Sequence, residues 1–451
     1  MPVIDPGSFR DKDGFVFYHQ DRVFRAISDS YAPVWNTLTE QGFFKELLHQ
    51  KKLVPFRNSG EVFDFPSDIH QVIEVDPIPF ISYPSEWTFS QLKKAALLTL
   101  EIQKKALEHN YTLKDASSFN VQFIGPKAVF IDLFSFEPYR DGQPWHAYKQ
   151  FCQHFLGPLL LKYYGHNHLQ SLFLNNIDGF PLDLVSKILP FKSRFNLLAN
   201  THIHLHARFE TKHAEDQSVN TAKLQISKSR SMAILEHLST GIKNLKIVTK
   251  KTNWTGYYQN FSYSEQGYKD KQSFIEKHLN ALKGTLCVDL GANTGEFSQL
   301  ASKYFNYVLA CDNDLEVVKA IQSKKTSNLL ALHVDLSNPT PAIGWRNEER
   351  YSFIERIKKA DLTLALALVH HLCIGNNISL EKLADFFSAC SRHLIIEFVP
   401  KSDVQVKKLL VTKRDVFDGY TLESFTHYFS QYFTILDSCE VSDSGRVLMY
   451  M

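Results

Sequence analysis

Asp289, Gly291, Asn293 and Gly295 fall within the stretch from Val288 to Phe297, between an apolar run and a helix-like one. A strand that turns sharply through glycine into a helix leaves backbone N–H groups uncovered, and a ligand can lie against the main chain there. Asp312 ends the next apolar run, at a spacing that suits a carboxylate reaching ribose hydroxyls. This reads as a nucleotide-cofactor loop. The dinucleotide fingerprint wants glycines at its first, third and sixth places; here Gly291 is followed by Asn293 and Gly295, with Asp289 two residues ahead. A carboxylate there would repel a pyrophosphate. It suits a cofactor with a cationic amino-acid tail, such as S-adenosylmethionine (SAM).

The elements that must carry this loop follow in order. The first strand and loop run from Leu286 to Gly295, the second strand from Tyr307 to Cys311 before Asp312, and the third from Leu329 to Val334 before Asp335. A fourth, Leu362 to Leu368, precedes His370 and His371. A helical run from Leu380 to Phe387 leads to a fifth strand, Leu394 to Phe398, and the tail adds Phe433 to Val441 and Arg446 to Met451. From about Phe274 to Met451 the chain resembles the class I SAM-dependent methyltransferases. That resemblance implies a Rossmann-like, seven-stranded α/β sheet. It also implies a cofactor site of Asp289, Gly291, Asn293, Gly295, Asp312, Asn313, Asp335, Leu336 and Leu368, with Asp312 on the ribose and Asp335 on the adenine amino group. Asn293 replaces a middle glycine, and asparagine enters left-handed backbone conformations most readily among residues bearing a side chain.

Methyl transfer needs an in-line nucleophile, and a base where that nucleophile is a hydroxyl or protonated amine. His370 and His371 stand where that base belongs, and an imidazole titrates close to neutrality. Glu397, inside the fifth strand, is a second candidate base, its alternative being a core-edge carboxylate bonded to backbone. The alternative for both histidines is structural hydrogen bonding at a strand-to-helix turn.

The amino-terminal half holds a second constellation. A long amphipathic run, Phe89 to His109, precedes Asp115 and Asn120, and a hairpin-like stretch from Val121 to Ile131 ends in Asp132. The spacing resembles the catalytic lobe of the protein-kinase-like fold, α+β in class. The resemblance implies a proton-accepting Asp115, with Asn120 and Asp132 holding Mg²⁺ against ATP phosphates. No glycine-rich loop appears near the amino terminus, and Arg25 is the nearest counterpart of the phosphate-binding lysine. The expectation is therefore a degenerate kinase-like module that holds substrate.

A length of 451 residues predicts two or three domains. The expected partition is a kinase-like domain over 1–209, a polar linker over 210–231, a helical cap over 232–282 and the methyltransferase domain over 283–451. Within the cap, Trp254, Tyr257, Tyr258, Tyr263 and Tyr268 are candidates to line the cofactor pocket. A formal charge of +2 gives no global field for nucleic acid or an acidic membrane. Neither a signal-peptide core nor a run of membrane-spanning length is evident, so a cytoplasmic location is expected. The six cysteines lack paired spacing and read as buried thiols. His202, His204 and His206 would share one face of an extended segment, where hydrogen bonding is favoured over a metal because no acidic or cysteine partner sits nearby. Lys407, Lys408, Lys413 and Arg414 form a basic run that reads as a solvated helix face or a contact for an anionic or sugar substrate.

Three functions compete at this level: a methyltransferase acting on a small-molecule or glycan acceptor, a bifunctional methyltransferase and phosphotransferase, and a SAM-binding protein without catalysis.

Overall fold

The computed structural model describes residues 1–65, 68–209, 225–247, 263–358, 360–411 and 413–451. Two compact units emerge. One contains Met1–Phe123, the described part of 127–247 and Ala342–Arg350; the other contains Ile124–Pro126, 263–341 and Tyr351–Met451.

The first unit begins with a five-stranded antiparallel sheet. Its strands are β1 (Val3–Ile4), β2 (Gly14–His19), β3 (Arg22–Ser28), β4 (Phe56–Asn58) and β5 (Ile69–Val75), in the order β1-β2-β3-β5-β4. Two short helices, Ala32–Glu40 and Phe43–His49, separate β3 from β4. Helix Phe89–Glu108 starts at a capping box in which Thr88 accepts from the Gln91 N–H and Gln91 answers the Thr88 N–H. Its buried stripe includes Leu92, Ala95, Ala96, Thr99, Leu100, Gln103 and Leu107, the helical spacing expected of the amphipathic run. Strands β6 (Tyr111–Leu113), β7 (Val121–Ile124), β8 (Lys127–Phe130) and β9 (Phe136–Pro138) follow, with β6 paired to β9 and β7 to β8.

Helix Lys228–Asn244 belongs to this unit. Lys93 Nζ donates to the carbonyls of Lys243 and Leu245, both at 2.7 Å, and Leu235, Leu238 and Ile242 are buried. The described residues of the expected linker over 210–231 and cap over 232–282 divide between the two units. Residues 210–224 lie outside the described set, Lys228 already opens a helix, and the apolar face up to Ile242 is spent within the first unit. Helix Glu265–Leu282 alone among the described cap residues goes with the second unit.

The second unit is built on seven strands: β10 (Leu286–Leu290), β11 (Tyr307–Asp312), β12 (Leu329–His333), β13 (Ala360–Ala365), β14 (Ser391–Phe398), β15 (Asp437–Val441) and β16 (Arg446–Tyr450). They lie in the order β12-β11-β10-β13-β14-β16-β15. The first five are mutually parallel, and β16 runs antiparallel to both β14 and β15. Every residue of β10 is buried, as expected for a central strand covered on both faces. The chain leaves β10 towards β11 and β12, then crosses back to β13. That reversal makes a topological switch point at the carboxyl end of β10.

Several bounds differ from expectation. β13 ends at Ala365 rather than Leu368, and the residues beyond it turn over the loop after β10. β15 starts at Asp437 rather than Phe433, since helix Leu422–Phe429 and its following turn occupy the preceding residues. The cysteines are free; Cys439 is half-buried and the other five are buried. Among the described residues no helix is long and apolar enough to cross a membrane.

Candidate functional site

At the switch point the loop is fixed by its own backbone. Gly291, Asn293 and Gly295 have φ of 76°, 47° and 72°, so the conformation needs residues tolerant of the left-handed region. Asn293 meets that need, and its Oδ1 accepts from the Thr294 N–H at 2.7 Å. The N–H groups of Gly291 and Ala292 both donate to the Cys311 carbonyl at 2.9 Å, tying the loop to the end of β11. A Cβ on Gly291 would lie 3.1 Å from Leu368 Cδ1, and one on Gly295 would lie 2.7 Å from Ile321 Cγ1.

Asp312 is locked into this loop. Its Oδ2 accepts from the Asn293 N–H at 2.8 Å and its Oδ1 from the Asp314 N–H at 2.9 Å. Burial raises its pKa, while these N–H groups oppose the rise. Asp289 is buried, and Ser298 Oγ donates to its Oδ2 at 2.5 Å. Burial pushes the Asp289 pKa up to about 7 despite that hydrogen bond. One strand further out, Asp335 Oδ1 accepts from the Ser337 N–H at 2.8 Å, and the Asn313 carbonyl bonds to His333 Nε2 at 3.0 Å. Asp289, Gly291, Asn293, Gly295, Asp312 and Leu368 thus form one connected group. Asp335 and Leu336 follow the neighbouring strand end.

Beyond β13, His370 is 1% exposed, and neither of its ring nitrogens has a hydrogen-bond partner among the described residues. Burial holds its pKa well below the ordinary value, with the His371 and Arg446 charges acting in the same direction. A buried imidazole without partners is costly to keep, and at neutral pH it is an uncharged proton acceptor. His371 lies beside it, the ring centroids 4.1 Å apart, and burial lowers its pKa too.

Glu397 has a different environment. Fully buried, its carboxylate accepts from Tyr263 Oη at 2.6 Å and from Lys271 Nζ at 2.7 Å. Arg446 Nη1 lies 3.5 Å from it and Arg446 Nη2 lies 2.8 Å from Asp403. Burial alone would raise the Glu397 pKa, but the Lys271 and Arg446 charges hold it below the ordinary range. The carboxylate is therefore a fixed, ionised anchor of a neutral cluster of two cations and two anions. Lys271, Arg446, Asp403 and Tyr263 were not among the residues singled out in the sequence. One signal for Lys271 was available, since it shares a helical face with Phe274, Ile275 and His278, all buried. Of the aromatics expected over the pocket, Tyr263 is spent on Glu397 and Tyr268 Oη donates to Glu296; Trp254, Tyr257 and Tyr258 lie outside the described residues.

The constellation of the first unit also converges. Asp132 Oδ1 accepts from the Phe134 N–H at 3.0 Å, and Ser135 Oγ bridges Asp132 to Asn120. Asp115 accepts from the Ser117 N–H at 2.8 Å, and burial followed by the Asp132 charge raises its pKa. Arg25, on β3, donates to the Ile131 carbonyl at 2.7 Å and stands 3.8 Å from Asp132. A guanidinium thus stands beside the carboxylate that the resemblance would give to magnesium, on the strand where the resemblance expects the phosphate-binding cation.

His202 and His204 sit on a helical turn, Asn200–Leu205, and His206 follows it, in place of an extended segment. His202 bonds to Tyr148 Oη at 2.7 Å and to His237 Nδ1 at 2.8 Å, and His204 to Ser186 and Ser193. Among the described residues no group of three or more His, Cys, Asp or Glu has metal-holding geometry. In the basic run, Lys407 and Lys408 are exposed on helix Val404–Leu410, while Lys413 Nζ donates to the Ile374 carbonyl at 3.0 Å.

No family model matches the chain. Over 98% of its length it is 34% identical to the nodulation protein NoeA of Rhizobium meliloti (strain 1021), of which 94% is covered. Similar solved structures include the N-methyltransferase NodS from Bradyrhizobium japonicum WM9, at 10% identity over 41% of this chain and 96% of that one, TM-score 0.29. The magnesium protoporphyrin IX methyltransferase ChlM from Synechocystis PCC 6803 is 15% identical over 45% of this chain and 88% of its own, TM-score 0.30. The bifunctional kinase-methyltransferase WbdD is 14% identical over 42% and 39%, TM-score 0.30. TM-scores at this level carry no argument about fold or function.

Proposed function

This chain belongs to the family of the nodulation protein NoeA, and from its own geometry we propose that the second unit is a SAM-dependent methyltransferase. One observation carries the reading: Asp312, at the end of β11, is clamped by the Asn293 N–H of a left-handed loop at the sheet's switch point. A carboxylate so held keeps lone pairs for a ribose diol, and the glycine positions leave room for a ligand to approach the backbone. Asp289 adds a second carboxylate suited to a cationic tail.

The bound cofactor would supply a methyl group on a cationic sulfur. On the protein side, the loop and Asp312 orient it, and His370 takes a proton from the acceptor at a ring nitrogen. Glu397 with Lys271 and Arg446 fixes the wall behind that imidazole. The acceptor proposed is a hydroxyl of a saccharide or other small metabolite, since a hydroxyl nucleophile is the kind that needs a base.

The test is calorimetric titration of the full chain with S-adenosylhomocysteine, followed by SAM turnover against small-molecule extracts. Wild type binds the product and Asp312→Asn weakens binding. His370→Asn keeps the affinity and loses turnover. Absence of binding overturns the assignment, and unchanged turnover in His370→Asn removes the base.

A second reading gives the first unit phosphoryl transfer from Mg²⁺-ATP. The meeting of Asp115, Asn120 and Asp132 favours it, and the sequence, which shows no glycine-rich loop near the amino terminus, weighs against it. A substrate-holding role is the reading we adopt for that unit.

A further inference from the structure

A cleft of about 410 Å³ lies wholly within the first unit, between helices Phe89–Glu108 and Lys228–Asn244 and the segment after β9. None of the residues discussed above for cofactor or acceptor lines it. The backbone pairing of Gly142 with Ile226 helps frame one side. The volume is within the range of small-molecule sites, roughly 300–1,000 Å³.

Its wall is apolar where it is deep. Leu107, Trp145, Ile226, Ile234 and Leu235 contribute to the lining, and Leu107 and Leu235 are almost fully buried. Most polar groups of the same wall are already paired with protein. Gln103 bonds to Thr112 at 2.9 Å and to the Leu113 N–H at 2.7 Å. Trp145 Nε1 donates to the Leu113 carbonyl at 2.8 Å, and Tyr148 Oη bonds to His202 at 2.7 Å. At the mouth, Glu137 faces His146 at 3.0 Å.

A polyol entering this cleft would give up its hydrogen bonds to water and find few free partners in return. An apolar chain loses nothing by the same move. Two exposed lining residues are exceptions among the described residues: Gln143, whose amide is uncharged, and Arg140, which carries charge and forms no ion pair. We infer that the cleft binds an amphipathic monoanion, an aliphatic chain seated on Leu107, Trp145 and Ile234 with its carboxylate at Arg140. The occupant is a medium-chain aliphatic carboxylate, free or as the terminus of a larger molecule. This does not depend on the methyltransferase reading.

The experiment is calorimetric titration of the full chain with decanoate, decylammonium, decanol and maltose, each below any micellar concentration. Decanoate binds most tightly. Arg140→Glu weakens it on the order of tenfold by turning attraction into repulsion, and Ile234→Trp, which fills the cleft, removes the heat of binding. Should Ile234→Trp not fold, the surface substitution Arg140→Glu still decides the matter. No heat with decanoate, equal affinity in Arg140→Glu, or tighter binding of decylammonium or maltose overturns the inference.

Discussion

The two units place carboxylates in opposite settings. In the second, Asp312 is held by backbone N–H groups of a loop that follows a central strand, so its oxygens are aimed by the main chain. In the first, Asp132 is held by Ser135, the Phe134 N–H and the neighbouring Arg25, and protein groups already answer its charge. Backbone donors orient a carboxylate without neutralising it, whereas a guanidinium does both. Asp312 is thus oriented by main chain and left without a neighbouring cation among the described residues, whereas Asp132 stands beside one.

The contrast sharpens with the largest expected effect. Glu397→Gln removes one partner from the Lys271–Arg446–Asp403 cluster and leaves buried positive charge uncompensated. The expected loss is about 3–5 kcal/mol, read in urea unfolding as an early transition of the second unit, with the first unit's transition unmoved. A single shifted transition for both would break the division.

Next comes pH, where individual buried groups carry opposite signs. His154 and His202 are buried and their pKa values are lowered to about 4. Their unfolded forms take protons below 6.5 while the folded forms do not, so the first unit loses stability as pH falls from 6.5 towards 4. The expected size is about 3 kcal/mol for each histidine. In the second unit His370 and His371 act in the histidine direction, while Asp289 runs the other way. Folded, it keeps its proton up to about 7, so its contribution weakens the second unit as pH rises from 3.8 to 7. Unfolding followed between pH 4 and 7.5, with His154→Asn and Asp289→Asn for assignment, checks both slopes.

Smaller effects act on the loop itself. Asp312→Asn keeps its shape but loses charge, and S-adenosylhomocysteine affinity falls about 10- to 100-fold. Gly291→Ala places a Cβ at a φ of 76° and 3.1 Å from Leu368 Cδ1. It costs about 1–2 kcal/mol of stability, read as a lower Tm.

What the sequence made legible follows from the range of the interactions. Asp289, Gly291, Asn293, Gly295 and Asp312 sit within one strand-loop-helix-strand stretch, where local pattern and local geometry coincide. The alternation of apolar runs likewise marked the seven strands of the second unit. By contrast, the Lys271–Glu397 contact joins residues 126 positions apart and Arg446–Glu397 joins residues 49 apart, and no local pattern reports such pairs. The His202, His204, His206 alternation suggested an extended segment because its period is two. Packing decided otherwise: Tyr148, His237 and two serines bond the His202 and His204 rings on a helical turn. The helix from Lys228 was likewise not legible locally. Polar composition before Lys228 looked like a boundary, while the apolar face from Leu235 to Ile242 is buried within the first unit.

The most direct measurement is amide hydrogen exchange of the full chain with and without S-adenosylhomocysteine. The account predicts added protection from Asp289 to Gly295 and around Asp312 to Asp314, with residues 115–135 unchanged. Protection absent from the loop after β10, or appearing instead around Asp115 and Asp132, would contradict it.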